Sequence, residues 1–231
     1  INKSDGVTAV SNSLKNETVS IFNISNEIDV IPNFIDINKY QKVKRNPYRG
    51  KLCSKGERLI IHTSNFRKVK RIQDVINIFC KINKEIPSKL IMIGDGPERA
   101  NIESLTRSLC SLKDVMFIGK IPDVENVLHN ADLFLLTSEK ESFGLSALEA
   151  MASSVPVISS NAGGLPELVQ DGVSGYTCDI GDVNTMSEKA IEILDKKNIN
   201  LFKNNALNTA SKYDISIILP KYIEFYKKIL N

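Results

Sequence analysis

The chain has 231 residues, of which 42% are hydrophobic and 25% are charged, and its formal net charge is +3. This length is ample for one large domain with appendages, and the composition is that of an ordinary globular protein. The small net charge does not favour a nucleic-acid-binding protein, whose basic residues usually form a dense stripe. No apolar run approaches the ~18 residues that span a bilayer, and no signal peptide is visible. Association with a membrane surface stays open.

The cysteines indicate the redox environment. Cys53, Cys80, Cys110 and Cys178 lie far apart and form no CxxC pair. With two histidines in the chain, this spacing does not favour a zinc site. We therefore expect reduced thiols that serve mostly in packing, no bound metal and a cytoplasmic location.

The first part of the chain predicts small elements that precede a larger domain. Residues 7–10 have the pattern of a short strand, Ser11 is a suitable N-cap for the helix that follows, and a second strand leads into residues 31–33. Residues 41–56 are rich in Lys, Arg, Gly and Pro, which is typical of an exposed loop.

Apolar runs then alternate with helical patterns as far as residue 194. The runs cover residues 58–63, 89–93, 115–118, 132–136, 156–159 and 175–178. Between the first two, residues 72–86 have apolar side chains at helical spacing. Continuous apolar strands separated by helices predict an α/β fold with a Rossmann-like, doubly wound parallel sheet. In such a sheet, ligands bind beyond the carboxyl ends of the strands.

The final segment, residues 199–230, has helical spacing and predicts two helices. Pro220 stands within the second pattern. It indicates either the first turn of that helix or a kink, because proline has no N–H to donate.

The run EKESFGLSALEA at residues 139–150 follows a predicted strand and contains Glu141 and Glu149. A helix that begins near Gly144 would direct unpaired N–H groups at a ligand, as helix starts do for phosphates. If the whole span were helical, the two glutamates would be ~12 Å apart. That separation exceeds the acid/base pair of a glycosidase and suits two hydroxyl-bearing groups that flank a diphosphate. In the alternative, Glu141 is an ordinary helix-start acid and Glu149 a surface residue; the spacing alone does not choose.

The loop after residue 63 contains four cations within eight residues, SNFRKVKR at 64–71. Among them Lys70 and Arg67 would suit a diphosphate, one as a point charge and the other as a bidentate fork. The alternative is a solvated cationic loop, which most charge runs are. The position beyond a strand end favours the functional interpretation.

Two glycine-containing turns follow other strands. GDGPER at 94–99 resembles a dinucleotide fingerprint, but Arg99 stands where the third glycine belongs, which disfavours a dinucleotide-dependent oxidoreductase. NAGG at 161–164 allows either close backbone approach to a ligand or a plain turn.

Taken together, these loops resemble the family 4 glycosyltransferases of the GT-B fold. The resemblance is carried by ESFGLSALEAMASSVPVISSNAGGLPELVQDGVSGY at 141–176, by IGDGPE and by the 114–119 strand, in family order over most of residues 57–180. It implies the C-terminal, donor-binding half of such an enzyme. The Glu–seven residues–Glu pattern in this setting favours the ligand-site interpretation of Glu141 and Glu149.

The resemblance also implies roles for individual residues. Glu141 is expected by the hydroxyls of the donor sugar, Glu149 at the ribose, and Lys70 at the phosphates. The family's partner arginine usually stands where this chain has Asn65, and Arg67 is the candidate to replace it. Glu141, Lys70 and Arg67 are thus the expected catalytic set.

Backbone groups complete the expected donor site. The sugar and diphosphate would face the backbone of four successive residues, and the base would meet the end of a strand. The residues concerned are Phe143, Gly144, Leu145 and Ser146 for the former, and Ile118 and Gly119 for the latter. The resemblance implies a UDP-sugar as substrate and requires neither a cofactor nor a metal.

Two further stretches, IPNFID at 31–36 and HTSNFRKVKRIQDV at 62–75, look like the branch of this family that joins the sugar of UDP-N-acetylglucosamine to L-malate with retention of configuration, in bacterial bacillithiol biosynthesis. The expected division is a remnant of an N-terminal domain and hinge at 1–40, a nucleotide-sugar-binding domain at 41–198, and helices at 199–231 that return to the N-terminal domain. Because that absent domain would hold the acceptor, we expect this chain alone to bind a UDP-sugar and to transfer nothing. A non-catalytic nucleotide-sugar-binding module, and a family member that acts on a glycan or lipid, remain alternatives.

Overall fold

A computed structural model describes residues 1–42, 49–109 and 112–230. Within these residues, eight strands form two parallel sheets. The strands are β1 (Val7–Ala9), β2 (Ile28–Val30), β3 (Arg58–Ser64), β4 (Ser88–Gly94), β5 (Val115–Gly119), β6 (Leu133–Leu136), β7 (Val157–Ser160) and β8 (Gly175–Cys178). The larger sheet has the order β5-β4-β3-β6-β7-β8, which confirms the predicted doubly wound arrangement.

Helices connect these strands and continue beyond them. In the described ranges they are α1 (Asn12–Phe22), α2 (Ile37–Gln41), α3 (Arg49–Leu52), α4 (Ile72–Glu85), α5 (Arg99–Leu109), α6 (Glu125–Leu128), α7 (Leu145–Ala152), α8 (Leu165–Leu168), α9 (Val183–Leu194), α10 (Ile199–Ser211) and α11 (Ile215–Leu230). Short 3-10 turns cover Lys68–Lys70 and Leu112–Asp114. Pro220 lies inside α11 rather than in its first turn.

The sheet is apolar on both faces, as the continuous apolar runs predict. On β3, Leu59 and Ile61 join the core that α7, α8 and α10 cover, whereas Ile60 joins the core that α4 and α9 cover. All three side chains are fully buried. A strand with both faces buried needs no polar alternation, which explains why these runs are continuous in the sequence.

The N-terminal elements are joined to the C-terminal helix. The backbone of Ile35 accepts a hydrogen bond from Ile215 (2.9 Å) and donates one to Tyr213 (3.0 Å). Tyr222, in α11, donates its hydroxyl to the carbonyl of Ile31 and packs edge-on against the ring of Phe34. Residues 31–35 are thus bonded to residues 213–222 at two adjacent points. That α11 packs on a further domain stays a prediction.

Two expectations about residues outside the large sheet need correction. The segment 41–56 is not wholly a loop, because α3 lies within it and buries Cys53 at its end; residues 43–48 lie outside the described part. Cys53 and Cys178 are free and buried, but Cys80 is disulfide-bonded, so the expectation of reduced thiols is wrong there; Cys110 lies outside the described residues. No helix of the described ranges is long and apolar enough to traverse a bilayer.

Candidate functional site

The loops after β3 and β6 meet at the point where the strand order reverses. β3 is paired with β4 on one side and with β6 on the other, so the connections that leave β3 and β6 diverge and open a crevice between them. Hydrogen bonds tie the two loops together. The hydroxyl of Thr137 donates to the carbonyls of Lys70 and Arg71 (3.0 Å each), and the N–H of Glu139 donates to the carbonyl of Val69 (2.7 Å).

This arrangement brings Lys70 and Glu141 together. The Lys70 ammonium lies 2.6 Å from Oε2 of Glu141, and both side chains are only 18% exposed. The hydroxyl of Ser138 also donates to Oε2, at 3.2 Å. Lys70 is therefore held at the crevice by a carboxylate that an incoming anion would have to replace.

The other cations of this loop are placed differently. Arg67 is exposed and has no side-chain partner among the described residues. Arg71 adopts a left-handed conformation (φ 46°) and donates from Nε to Asp74 at 2.7 Å. Lys68 is exposed. The structure therefore pairs Lys70 with Glu141 and leaves Arg67 outside that pair.

The start of α7 is open to a ligand through its backbone. The first intrahelical bond runs from the N–H of Leu148 to the carbonyl of Gly144 (3.0 Å), which leaves the N–H groups of residues 145–147 without an intrahelical acceptor. Gly144 has φ 101°, and a Cβ there would lie 2.6 Å from Leu165, so glycine is required. The ring of Phe143 is buried against Tyr213, hence only its backbone is available.

The helix starts at Leu145, so the residues before it are not helical. Glu141 lies in the preceding loop, and the ~12 Å separation calculated for a continuous helix does not apply. At this start, Leu145 is 48% exposed and Ser146 is partly buried. These two residues and Gly144 line the same turn, as their spacing predicts.

Glu149 is partly buried, so the alternative of a plain surface residue is wrong. Burial raises the pKa of its carboxyl, although the Tyr40 hydroxyl and the Lys39 ammonium oppose the shift. Lys39 is itself paired with Glu125 at 3.0 Å. Glu149 therefore faces polar and charged side chains of α2 and α6.

No motif in the sequence marks Lys39, Tyr40 or Glu125 as site residues. They stand 110, 109 and 24 positions from Glu149, and no spacing rule connects residues so far apart. A local signal exists only for Glu125, an acid at a helix start.

Ile118 and Gly119 end the edge strand β5. Gly119 has φ 73°, and the Arg99 guanidinium is the group nearest to a Cβ built there, at 3.8 Å. Three inter-strand spacings separate β5 from β6, which amounts to ~14 Å. The predicted base-binding and phosphate-binding positions are thus spread along one edge of the sheet, over a length that an extended nucleoside diphosphate would occupy.

A cleft of about 430 Å³ opens between α1 and the loop that carries Glu141. It is lined by Ser13, Leu14, Glu17, Glu139, Lys140, Glu141, Ser142 and Gly163. The glycine pair of the 161–164 turn has a packing role here. Gly163 has φ 55°, and a Cβ on it would lie 2.0 Å from the carbonyl oxygen of Glu141.

His62 lies in β3 at the base of the crevice and is fully buried. Its Nδ1 is 2.8 Å from the carbonyl oxygen of Leu135, and its Nε2 is 2.7 Å from the hydroxyl of Ser64. Burial lowers the pKa of His62 to about 4. The ring is therefore neutral near pH 7, donates Nδ1–H to the carbonyl and accepts the serine proton.

Within the described ranges, no cluster of three or more His, Cys, Asp or Glu side chains could hold a metal ion. That the site works without metal stays a prediction.

Comparisons with known proteins fit this geometry. The family description "Glycosyl transferases group 1" matches residues 45–211. The chain is 40% identical over 234 residues to N-acetyl-alpha-D-glucosaminyl L-malate synthase of Bacillus anthracis, and this match covers all of the chain and 61% of that protein. It is 34% identical to an uncharacterized glycosyltransferase of Methanocaldococcus jannaschii, over 73% of the chain and 45% of the relative. The chain therefore spans about three fifths of the first relative and less than half of the second.

Solved structures have the same fold. HepE of Anabaena, determined in complex with UDP-glucose, matches with a TM-score of 0.87 and 25% identity over 98% of this chain and 65% of that one. The pneumococcal O-GlcNAc transferase GtfA, in complex with UDP and GlcNAc, matches with a TM-score of 0.81 over 99% of this chain and 46% of that one. At 19% identity the second likeness concerns the fold alone.

Proposed function

The chain belongs to the group 1 glycosyl transferases, and we propose that it is the part of a retaining transferase that binds a UDP-sugar donor. The observation that carries the proposal is the pairing of Lys70 with Glu141, 2.6 Å apart, where the strand order reverses. A cation for the diphosphate and a carboxylate for the sugar hydroxyls are adjacent there, as a nucleotide-sugar requires.

The donor would extend along the carboxyl edge of the sheet. Its base meets Ile118 and Gly119, its ribose meets Glu149, and its diphosphate lies between Lys70 and the N–H groups at the start of α7. The transferred sugar occupies the cleft beside Glu141, whose volume of about 430 Å³ suffices for one sugar ring. Arg67, which is exposed, would reach the diphosphate only after a change of its side-chain conformation.

Stabilisation of the leaving group dominates the chemistry. As the bond between the sugar and the diphosphate breaks, negative charge grows on the phosphate oxygens. Lys70 and the α7 start then stabilise that charge electrostatically, and the loss of one such contact costs on the order of 2–4 kcal/mol of barrier. Glu141, released from Lys70, becomes an acceptor for sugar hydroxyls.

The identity of the substrates rests on the relatives. The Bacillus relative is named for an N-acetylglucosaminyl group and L-malate, and the GtfA complex contains UDP and GlcNAc. We accordingly infer UDP-N-acetylglucosamine as donor and L-malate as acceptor, in a bacterial cytoplasm. The acceptor would be bound mainly by a domain outside this chain, so the chain alone binds donor and transfers no sugar.

Calorimetric titration of the chain with UDP, UDP-N-acetylglucosamine and NAD tests the proposal. We expect both uridine nucleotides to bind and NAD to give no heat of binding. Binding of NAD without UDP would refute the donor site. A transfer assay with UDP-N-acetylglucosamine and L-malate should give no product with this chain alone, and turnover would contradict the assignment of the acceptor to another domain.

A further inference from the structure

The start of α1 is hydrogen-bonded to Glu167, a side chain that the proposed function does not use. The carboxylate of Glu167, in α8, accepts hydrogen bonds from the backbone N–H groups of Asn12 (2.9 Å) and Ser13 (2.8 Å), and from the side-chain amide of Asn12 (2.9 Å). Partial burial alone would raise the pKa of Glu167, but the bonds from Asn12 and Ser13 lower it. An ionised carboxylate thus closes the N-terminus of α1.

The next contact reaches the loop of Glu141 itself. Ser11, the N-cap of α1, is almost completely buried. Its hydroxyl donates to the carbonyl oxygen of Ser142 at 2.6 Å and accepts from the N–H of Leu14 at 3.1 Å. On the other side of the loop, the N–H of Gly164 donates to the carbonyl oxygen of Glu141 at 2.9 Å.

The backbone packs closely around Gly164. A Cβ on Gly164 would lie 2.4 Å from the carbonyl oxygen of Ser142 and 3.0 Å from Cβ of Ser11. Three segments that are distant in sequence therefore meet without spare room. A small shift of one must displace the others, because packed interiors have little compressibility.

The contacts determine which backbone groups of the loop remain available. The carbonyls of Glu141 and Ser142 are both engaged by the protein. In a trans peptide the N–H points away from the carbonyl of the same unit. The N–H groups of Ser142 and Phe143, which belong to these two peptide units, donate to no group within the described residues. Two donors of the loop are thus unpaired within the described residues, whereas its two acceptors are engaged.

We propose that Ser11 and Glu167 are positioning residues for the donor sugar. They orient the backbone at 141–143. Its two N–H groups then donate to hydroxyl or acetamido oxygens of the transferred sugar, and the Glu141 carboxylate accepts from the sugar's hydroxyls. The inference rests on the proposed function and adds to it that the segment before the large sheet takes part in donor recognition. The uridine contacts and Lys70 itself lie on other segments of the chain, and neither Ser11 nor Glu167 contacts Lys70 or the start of α7 within the described residues.

A merely structural role predicts a different result. If Ser11 and Glu167 only stabilised the fold, their loss would weaken the binding of UDP and of UDP-N-acetylglucosamine by the same factor. A positioning role weakens the binding of the sugar nucleotide selectively. The ratio of the two dissociation constants therefore separates the two roles.

The experiment measures both dissociation constants by calorimetry for the wild-type chain and for Ser11→Ala, Glu167→Ala and Glu167→Gln. Two control variants serve for comparison. Asp182→Ala removes the N-cap of α9, where Asp182 accepts from Thr185 at 3.0 Å, and Glu188→Ala removes an exposed carboxylate of the same helix. Amide hydrogen exchange of the N–H groups at 142 and 143 provides a second readout.

For Ser11→Ala and Glu167→Ala we expect affinity for UDP-N-acetylglucosamine to fall about 3- to 10-fold, the range for one or two hydrogen bonds. Affinity for UDP should stay within about twofold, because UDP lacks the sugar that the N–H groups at 142 and 143 would contact. Glu167→Gln keeps one acceptor oxygen, so its affinity for UDP-N-acetylglucosamine should fall less. In the wild type, the sugar nucleotide should slow exchange at 142 and 143 more than UDP does, and Ser11→Ala should abolish that difference.

Equal losses for both nucleotides, or no loss in folded variants, would overturn the inference while the proposed function stands. If Glu167→Ala does not fold, Ser11→Ala and Glu167→Gln decide in the same way. A wild-type chain that binds neither nucleotide would overturn the proposed function, and the positioning role with it.

Discussion

Replacement of Lys70 by methionine removes the predicted phosphate contact together with a defined ion pair to Glu141. The ammonium lies 2.6 Å from Glu141 and is 18% exposed, so it is ordered and shielded from water before any ligand arrives. A hydrogen bond to a charged group contributes about 1.5–3 kcal/mol, which corresponds to roughly a 10- to 150-fold change in Kd. Because the diphosphate must displace Glu141, we expect the lower part of that range, about 10- to 30-fold.

The assay compares UDP with uridine by calorimetry. Uridine has no phosphate, so Lys70→Met should leave its affinity unchanged while UDP binds more weakly. Lys68→Met is the matched control, because Lys68 stands in the same loop, has the same charge and is exposed. Charges exposed to solvent are screened at physiological salt, hence this control should have a small effect.

Glu141→Gln tests the same reasoning with the opposite sign. Glutamine cannot form an ion pair with Lys70, so the ammonium becomes free for the diphosphate and UDP should bind more tightly than to the wild type. The affinity for the sugar nucleotide should rise less than that for UDP, since the sugar loses its carboxylate. Equal losses in Lys70→Met and Lys68→Met, or a weaker UDP complex in Glu141→Gln, would refute the electrostatic account.

Three further predictions concern pH dependence, stability and the nucleoside. Burial lowers the pKa of His62 from 6.5 to about 4, so the unfolded chain takes up a proton that the folded chain does not; stability is full above pH 6.5 and falls by about 3 kcal/mol towards pH 4. Urea unfolding across that range should show a shallower pH dependence in His62→Gln than in the wild type. Burial alone would raise the pKa of Asp132, but Lys203 and Arg49 lower it; Asp132→Asn should cost about 2–3 kcal/mol in urea unfolding, and an unchanged midpoint would contradict this. Glu149→Ala should weaken uridine and UDP equally, by roughly tenfold in calorimetry, whereas a loss confined to UDP would count against a ribose contact.

The sheet could be predicted from the sequence because its signal is local. Each strand of the large sheet begins and ends within one residue of the apolar run that predicts it, since a strand buried on both faces needs an uninterrupted run. The helix cap at Ser11 is local as well, and the structure confirms it. The position of the loops followed from the fold class, because parallel strands place their carboxyl ends at one edge.

The partners within the site could not be predicted in the same way. The contacts of Glu149 with Tyr40, and of Glu167 with Asn12, join residues more than 100 positions apart. No periodicity encodes such contacts; they arise when two elements pack. The sequence could therefore suggest that Lys70 binds phosphate and that Glu141 binds sugar, but not that the two bind each other in the free chain.

That pairing would allow the proposed anion site to persist without its ligand. An unpaired ammonium shielded from water is costly, and the adjacent Glu141 carboxylate offsets the cost. In the proposed function, a bound diphosphate would take over the ammonium, and the freed carboxylate could then accept a hydrogen bond from a sugar hydroxyl. Occupation of the phosphate position would thus prepare the sugar position, provided that the loop of Glu141 keeps its place while its ion pair is exchanged. The hydrogen bonds of Ser11 and Gly164 to the loop carbonyls do not involve Lys70, and so they survive that exchange.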